Sequence, residues 1–193
     1  MKRWRAISTV VIVAVAVMVS GCESRGVGGS KRSTEFIRTS CSATAYPTLC
    51  YSSLSTHAAA IQQNPKLLAT AALSVSLATA VSTSADMVRL SRAAGMTPRE
   101  VGAMQDCVEE LADSVELIRK SLAEMKQIEA VTGDAQTWLS AALTDEETCM
   151  DGFAGKIMAG GVKTAVRGKI VNVAHMTSNA LCLVNSYATT LHD

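Results

Sequence analysis

Hydrophobic residues recur at helical spacing along most of this chain. The clearest run follows Thr97, Pro98, Arg99 and Glu100, which predict a capping box with proline at the first helical position. The apolar residues behind this start are spaced alternately three and four, which is typical of the seam of a packed helix bundle. They are Val101, Met104, Val108, Leu111, Val115, Ile118, Leu122 and Met125.

An earlier long helix is predicted by its end signals. Asn64 is a cap residue, Pro65 suits the first turn, and Gly95 occupies a helix-stop position. We expect this helix to bury one face of small and branched residues. That face comprises Leu68, Ala71, Val75, Ala78, Val81, Ala85 and Val88.

Two more helices follow. Gly133 is expected to end the second long helix, and Asp134 to cap a third that carries Trp138, Ala142, Cys149 and Phe153. A loop with Gly155, Gly160 and Gly161 then precedes a fourth helix. Its apolar face is predicted to be Val162, Val166, Ile170, Val173, Ala180, Val184, Tyr187 and Leu191.

The connections between these helices are short, so neighbours must run antiparallel. The predicted fold is therefore all-α, with an up-down-up-down four-helix bundle over 64–191. Residues 35–61 remain as a smaller N-terminal helical hairpin. A sheet is disfavoured because only 4% of the residues are aromatic and because glycine and proline are scarce in the middle of the chain.

The first residues resemble an export signal. Lys2, Arg3 and Arg5 precede an apolar run over 10–19, which is followed by small residues. The run is short for a bilayer-spanning helix, so a retained anchor is the weaker interpretation. We predict a signal peptide over 1–22 and a flexible leader over 23–34. Cys22 also fits a bacterial lipoprotein cleavage box, although chance placement explains it more simply.

Charge excludes several classes of function. The chain has 18 basic and 17 acidic residues, and removal of the three early cations leaves a mildly acidic mature protein. The sequence thus lacks the basic field of a nucleic-acid binder and gives no support for membrane adhesion. A hydrophobic content of 48% excludes a disordered chain.

Five cysteines remain after export, in a compartment where pairing is expected. Their spacing leaves the connectivity open, although a local bridge between Cys41 and Cys50, with Pro47 between them, is the simplest proposal. A metal site is disfavoured because no C-x-x-C pair is present and the three histidines are far apart in sequence. No cofactor is implied.

Candidates for catalysis are few. Glu146 and Glu147, like Glu109 and Glu110, are adjacent on a helix, so their side chains diverge by about 100° and are expected to be solvated. His175 lies beside core positions, as a structural histidine would. Cys182, between two leucines, is predicted to be buried and inert. We therefore predict that the chain is not an enzyme.

Four blocks resemble the plant invertase/pectin methylesterase inhibitor family. The first is IRTSCSATAYPTLCYSSL, from Ile37 to Leu54, with Cys41 and Cys50 eight residues apart. The others are DCVEELADSV around Cys107, WLSAALTDEETCMDGF with Cys149, and TSNALCL with Cys182. The resemblance extends over about 35–187, and four cysteines in the same order make it specific.

The resemblance implies a four-helix bundle with an N-terminal hairpin, disulfides Cys41–Cys50 and Cys107–Cys149, and a free Cys182. It implies a secreted, mainly monomeric protein of the cell wall or apoplast that binds an enzyme one to one and blocks its substrate cleft. The target is pectin methylesterase or, alternatively, acid invertase. Gly133 and Asp134 are followed by 135–137 (Ala-Gln-Thr) and not by the Pro-Lys-Phe of invertase inhibitors, which favours pectin methylesterase.

Members of this family present the second and third bundle helices to the esterase. The resemblance therefore implies contact residues at polar positions away from the buried seam, and acidic ones could mimic the charge of pectin. They are Glu109, Asp113, Glu116, Asp145, Thr148 and Asp151. The alternatives are that these acids only keep the bundle soluble, or that the protein is a structural bundle or a ligand carrier.

Overall fold

The computed structural model describes residues 26–127, 132–154 and 161–191, and the regular structure within these ranges is helical. The predicted signal peptide and Cys22 lie outside them. The helices are α1 (Gly26–Cys41), α2 (Pro47–Leu54), a 3-10 turn (Ser55–His57), α3 (Ala58–Ile61), α4 (Pro65–Leu90), α5 (Pro98–Met125), α6 (Thr132–Gly152) and α7 (Gly161–Thr189). The all-α prediction is confirmed.

Helices α4 to α7 form the predicted four-helix bundle. Each packs against the next in sequence, α4 and α7 close the ring, and the α5–α6 contact is the most extensive. The order α4–α5–α6–α7 around the ring, with consecutive helices antiparallel, is the up-down-up-down topology.

Local capping explains where α4 and α5 begin. The side chain of Asn64 accepts a hydrogen bond from the N–H of Leu67, with Pro65 in the first turn. Thr97 and Glu100 form the reciprocal capping box, and the hydrogen bonds from Thr97 lower the pKa of the Glu100 carboxyl. At the other end, α4 stops at Leu90. Gly95, expected to end it, lies in the following turn with a φ of +88°.

Helix α6 begins earlier than predicted. It starts at Thr132, so Gly133 and Asp134 lie inside its first turn and do not separate it from α5. The intrinsic cost of one glycine in a helix is about 1 kcal/mol, which tertiary packing can offset. At the other end, Phe153 follows the last helical residue and is fully buried.

The buried face of α4 differs from the prediction. Of the expected residues only Leu68 is buried, whereas Val81 is 44% exposed and Ala78 and Ala85 are exposed. Helix α4 has apolar residues on all its sides, so the hydrophobic pattern of its sequence did not specify which face is buried. The residues that are buried are Leu68, Ala69, Ala72, Leu73, Ser76, Ala80, Thr83 and Met87.

Within the described residues, α4 also has the length and composition of a membrane-crossing helix. Core helices of folded domains pass the same test. In this structure the buried side of α4 packs against α5 and α7.

The predicted faces of α5 and α7 are confirmed over most of their length. On α5, Val101 at the first turn is exposed and Val108 is half-buried, while the other six predicted positions are buried. On α7, Leu191 lies beyond the helix end and is 50% exposed. The departures lie mainly near helix ends, where fewer neighbours cover the side chains.

The N-terminal hairpin, α1 to α3, packs against α4 and α7. Its first helix begins at Gly26, within the range expected to be a flexible leader, and buries Ser33 and Ile37. The turn after α1 is attached to α7: the Tyr46 ring stacks on His175, and the Tyr46 backbone N–H and C=O both hydrogen-bond the Asn179 side chain at 3.1 Å.

Candidate functional site

Helices α5 and α6, which carry all six predicted contact residues, are connected at three levels. The Cys107–Cys149 disulfide joins them with a Cα–Cα distance of 4.4 Å. The Ser114 hydroxyl donates to Glu146 Oε1 at 2.7 Å. The Ser121 hydroxyl shares its proton between the Ala135 carbonyl of α6, at 3.1 Å, and the Leu117 carbonyl of α5, at 2.9 Å. The three α5 residues in these contacts, Cys107, Ser114 and Ser121, are seven positions apart in sequence and therefore lie on one face of the helix. These contacts hold the two helices in one antiparallel register.

The disulfide pairing implied by the resemblance is confirmed. Cys41 and Cys50 are bonded within the hairpin, and Cys182 is free. Cys182 is half-buried, not fully buried as predicted, and its thiol contacts the Ala43 carbonyl at 3.6 Å.

The predicted contact residues lie on the outer side of the α5–α6 pair. On α5, Glu109, Asp113 and Glu116 are exposed, and their spacing of four and three places them on one face. On α6, Thr148 and Asp151 are exposed, whereas Asp145 is half-buried. We refer to these six residues as the α5–α6 face.

Asp145 is brought next to acidic groups of α5. Its pKa is raised to about 6, first by burial and then by the charges of Glu110 and Asp113. Its Oδ2 atom is buried and has no hydrogen-bond partner among the described residues. Asp113 and Asp145, predicted from separate helices, therefore form one acidic cluster. Glu110, which the sequence assigned to a solvated pair, belongs to it.

The other members of the α5–α6 face have their own local contacts. Glu116 pairs with Arg119 at 2.6 Å one turn along α5, and both side chains are about half exposed. The Thr148 hydroxyl donates to the Thr144 carbonyl at 2.8 Å, as helical threonines often do. Its oxygen remains an exposed acceptor. Glu109, Asp113 and Asp151 supply exposed carboxylates.

Glu146 contradicts the expectation that it is solvated. The side chain is fully buried, and Oε1 accepts hydrogen bonds from Ser114 and from Thr177 of α7, the latter at 2.9 Å. The sequence analysis placed Trp138, Ala142, Cys149 and Phe153 on α6; Trp138 is half-buried, and the other three are buried. Position 146 completes a spacing of four, three and four between the buried positions 142, 149 and 153. The periodicity therefore contained a signal for burial that the charge of the residue obscured.

Other candidate chemistry is sparse in the described part of the chain. No group of three or more histidine, cysteine or acidic side chains there could hold a metal ion. An open groove of about 870 Å³ runs between the outer sides of α4 and α7, lined mostly by small residues and hydroxyls. At one side of it Asp86 pairs with Lys169 and Arg89.

Comparisons with known proteins agree on one family. Residues 35–183 match the family model described as plant invertase/pectin methylesterase inhibitor. The chain is 43% identical over 189 residues to a 21 kDa protein of Daucus carota. This match covers 94% of this chain and 95% of that protein. It is 42% identical over 187 residues to pectinesterase inhibitor 11 of Arabidopsis thaliana, at 92% and 93% coverage.

Solved structures show the same fold. A crystal structure of mutant form A of a pectin methylesterase inhibitor from Arabidopsis superposes with a TM-score of 0.65 at 22% identity. The superposition covers 77% of this chain and 95% of that one.

Proposed function

Since the chain belongs to the plant invertase/pectin methylesterase inhibitor family, we propose that it is a secreted inhibitor of pectin methylesterase that acts in the cell wall. It binds the esterase one to one and blocks the substrate cleft without performing a reaction itself. The relative named as a pectinesterase inhibitor, similar over more than nine-tenths of both chains, supports this target. The absence of Pro-Lys-Phe at 135–137 disfavours acid invertase.

The observation that carries the proposal is the acidic α5–α6 face on two cross-linked helices. Pectin is a polyanion, and a cleft that accepts galacturonate carboxylates is complementary to negative charge. Glu109, Asp113, Glu116 and Asp151 present carboxylates on the outside of the pair. The Cys107–Cys149 bridge lowers the ordering cost of binding because both helices are already in register.

Asp145 has a different role in this proposal. Its pKa is raised to about 6, so below that pH it is mostly protonated and contributes a hydrogen-bond donor instead of a charge. The charge mimicry in an acidic wall therefore rests on the exposed acids. Above about pH 6, Asp145 adds its own negative charge next to Asp113.

The first test identifies the target. The purified protein is titrated in parallel against pectin methylesterase, by methanol release, and against acid invertase, by reducing-sugar release. Loss of only the esterase activity, with an endpoint at one inhibitor per enzyme, is the expected result. Loss of only invertase activity would overturn the choice of target. No effect on either enzyme would refute the inhibitor function and favour the alternative of a structural bundle.

The second test concerns the face. Asp113→Asn should weaken esterase inhibition roughly fivefold, equivalent to about 1 kcal/mol, at both pH 5 and pH 7.5. Asp145→Asn mimics the protonated acid and should change inhibition only at the higher pH. Asp134→Asn, at the far end of α6, is the matched control. If Asp113→Asn behaves like this control, the acids serve solubility and the proposed face is wrong, while the esterase titration still stands.

A further inference from the structure

One buried polar side chain from each bundle helix meets at the same level of the interior. They are Ser76 of α4, Ser114 of α5, Glu146 of α6 and Thr177 of α7, all with 0% exposure. The Ser76 and Thr177 hydroxyls are 3.0 Å apart, and Thr177 and Ser114 both donate to Glu146 Oε1. Because the Thr177 proton is used in this way, Ser76 is the donor to Thr177. We call these four residues the buried polar layer.

The hydrogen bonds fit a neutral carboxylic acid. Oε1 accepts two hydroxyl donors, which satisfies both lone pairs of a carbonyl oxygen. Oε2 is buried and has no partner in the described part of the chain. An anion would spread charge onto this undonated oxygen in an apolar interior, which is far more costly than burying an O–H there.

In the described part of the chain, no basic side chain is among the groups that shift the pKa of Glu146. The charged groups that act on it are its neighbours Asp145 and Glu147, and both are acidic. The layer members on α4, α5 and α7 are hydroxyls, which do not titrate. Burial is the largest influence and raises the pKa of Glu146 to about 7, although the two hydroxyl hydrogen bonds lower it.

The layer also occupies a boundary in the core. On α5, Ser114 separates Leu111, in an apolar cluster around the Cys107–Cys149 bridge, from Val115, in the larger cluster that reaches the hairpin. Glu146 separates Cys149 from Ala142 in the same way on α6. A charge formed at this level therefore lies between the two hydrophobic clusters, out of reach of water. The cost of removing the charge from water exceeds the gain from the stronger hydrogen bonds that Ser114 and Thr177 would make to an anion.

We propose that the buried polar layer makes the bundle a proton-dependent fold, packed tightly while Glu146 is neutral and destabilised when this side chain loses its proton. This inference is independent of the esterase target. It predicts a protein that is more stable at acidic pH and loosens as the surroundings become neutral or alkaline.

The sign follows from proton linkage. The pKa of Glu146 is 4.5 in the unfolded reference and about 7 in the folded protein, so between these values the folded state binds more protons. The stabilising contribution is fully present below about pH 4.5 and is lost as pH rises through about 7. In that window the folding equilibrium constant should fall by up to about tenfold per pH unit.

Urea unfolding of the disulfide-intact protein, from about pH 4.5 to about pH 8.5, tests the proposal. The wild type should lose stability across this range. Glu146→Gln keeps a neutral carbonyl acceptor and should remove most of the pH slope. Glu147→Gln, an exposed neighbour, is the matched control and should retain it. Asp145→Asn measures the contribution of the raised Asp145 pKa, which has the same sign.

A Glu146→Gln protein with the same slope as the wild type would overturn the proposal. If this variant fails to fold, ¹³C NMR of the wild-type glutamate carboxyl carbons provides the second measurement. One resonance should titrate above about pH 6. If every glutamate resonance titrates with the ordinary pKa of a glutamate side chain, the inference is refuted as well.

Discussion

Removal of the Cys107–Cys149 disulfide should destabilise the protein more than removal of Cys41–Cys50. The first bridge spans a sequence separation of 42 and the second a separation of 9. The chain-entropy relation then gives about 4 kcal/mol for the long loop and about 3 kcal/mol for the short one. Alanine pairs are the suitable variants, because all four cysteines are buried and serine would bury an additional hydroxyl.

The assay is urea unfolding without reductant, comparing midpoints and slopes of the two double variants with the wild type. Cys107→Ala/Cys149→Ala should show the larger loss, by about 1 kcal/mol. If the hairpin variant loses as much or more, the entropic argument is wrong for this protein. Docking of the hairpin on α7 would then contribute more to stability than the length of the closed loop.

The same pair of variants separates stability from inhibition. Without the Cys107–Cys149 bridge, Ser114–Glu146 and Ser121–Ala135 still connect α5 and α6, so the variant should fold. Its register is less restricted, and its affinity for the esterase should therefore fall, whereas the hairpin variant should inhibit normally. A folded Cys107→Ala/Cys149→Ala protein with unchanged affinity would exclude a positioning role for the bridge.

Three further predictions test the packing. Phe153→Ala should cost about 3 to 5 kcal/mol in unfolding experiments, because the ring is fully buried. Asn179→Ala removes both hydrogen bonds to the Tyr46 backbone and should speed hydrogen exchange in the hairpin, with little change in circular dichroism. On α4, Val81→Asp should change stability by less than about 0.5 kcal/mol, whereas Ala80→Asp should cost several kcal/mol; equal effects would contradict the observed face.

Much of the helical architecture was predictable from short stretches of sequence. The starts of α4 and α5 depend on Asn64 and on the Thr97–Glu100 capping box, which involve residues only three apart. The buried seam of α5 followed from a strongly amphipathic pattern. The candidate face followed from the family resemblance, since exposed acids on a helix have no pattern that distinguishes contact from solubility.

Other features needed the assembled bundle. The rotation of α4 depends on which neighbours cover it, because apolar residues lie on all its sides. The cluster of Asp113 with Asp145 depends on the α5–α6 register, and the attachment of Tyr46 to Asn179 joins positions 133 residues apart.

Sequence alone established that this chain forms four long helices with a disulfide-linked hairpin, because caps, periodicity and cysteine order act over short distances or are shared by the family. Tertiary structure decided which carboxyl groups reach water and which do not. Glu146 and Glu147 are adjacent and chemically identical, yet one lies in the interior and the other is exposed. That difference arises from the orientation of α6 against α5 and α7, which only packing determines.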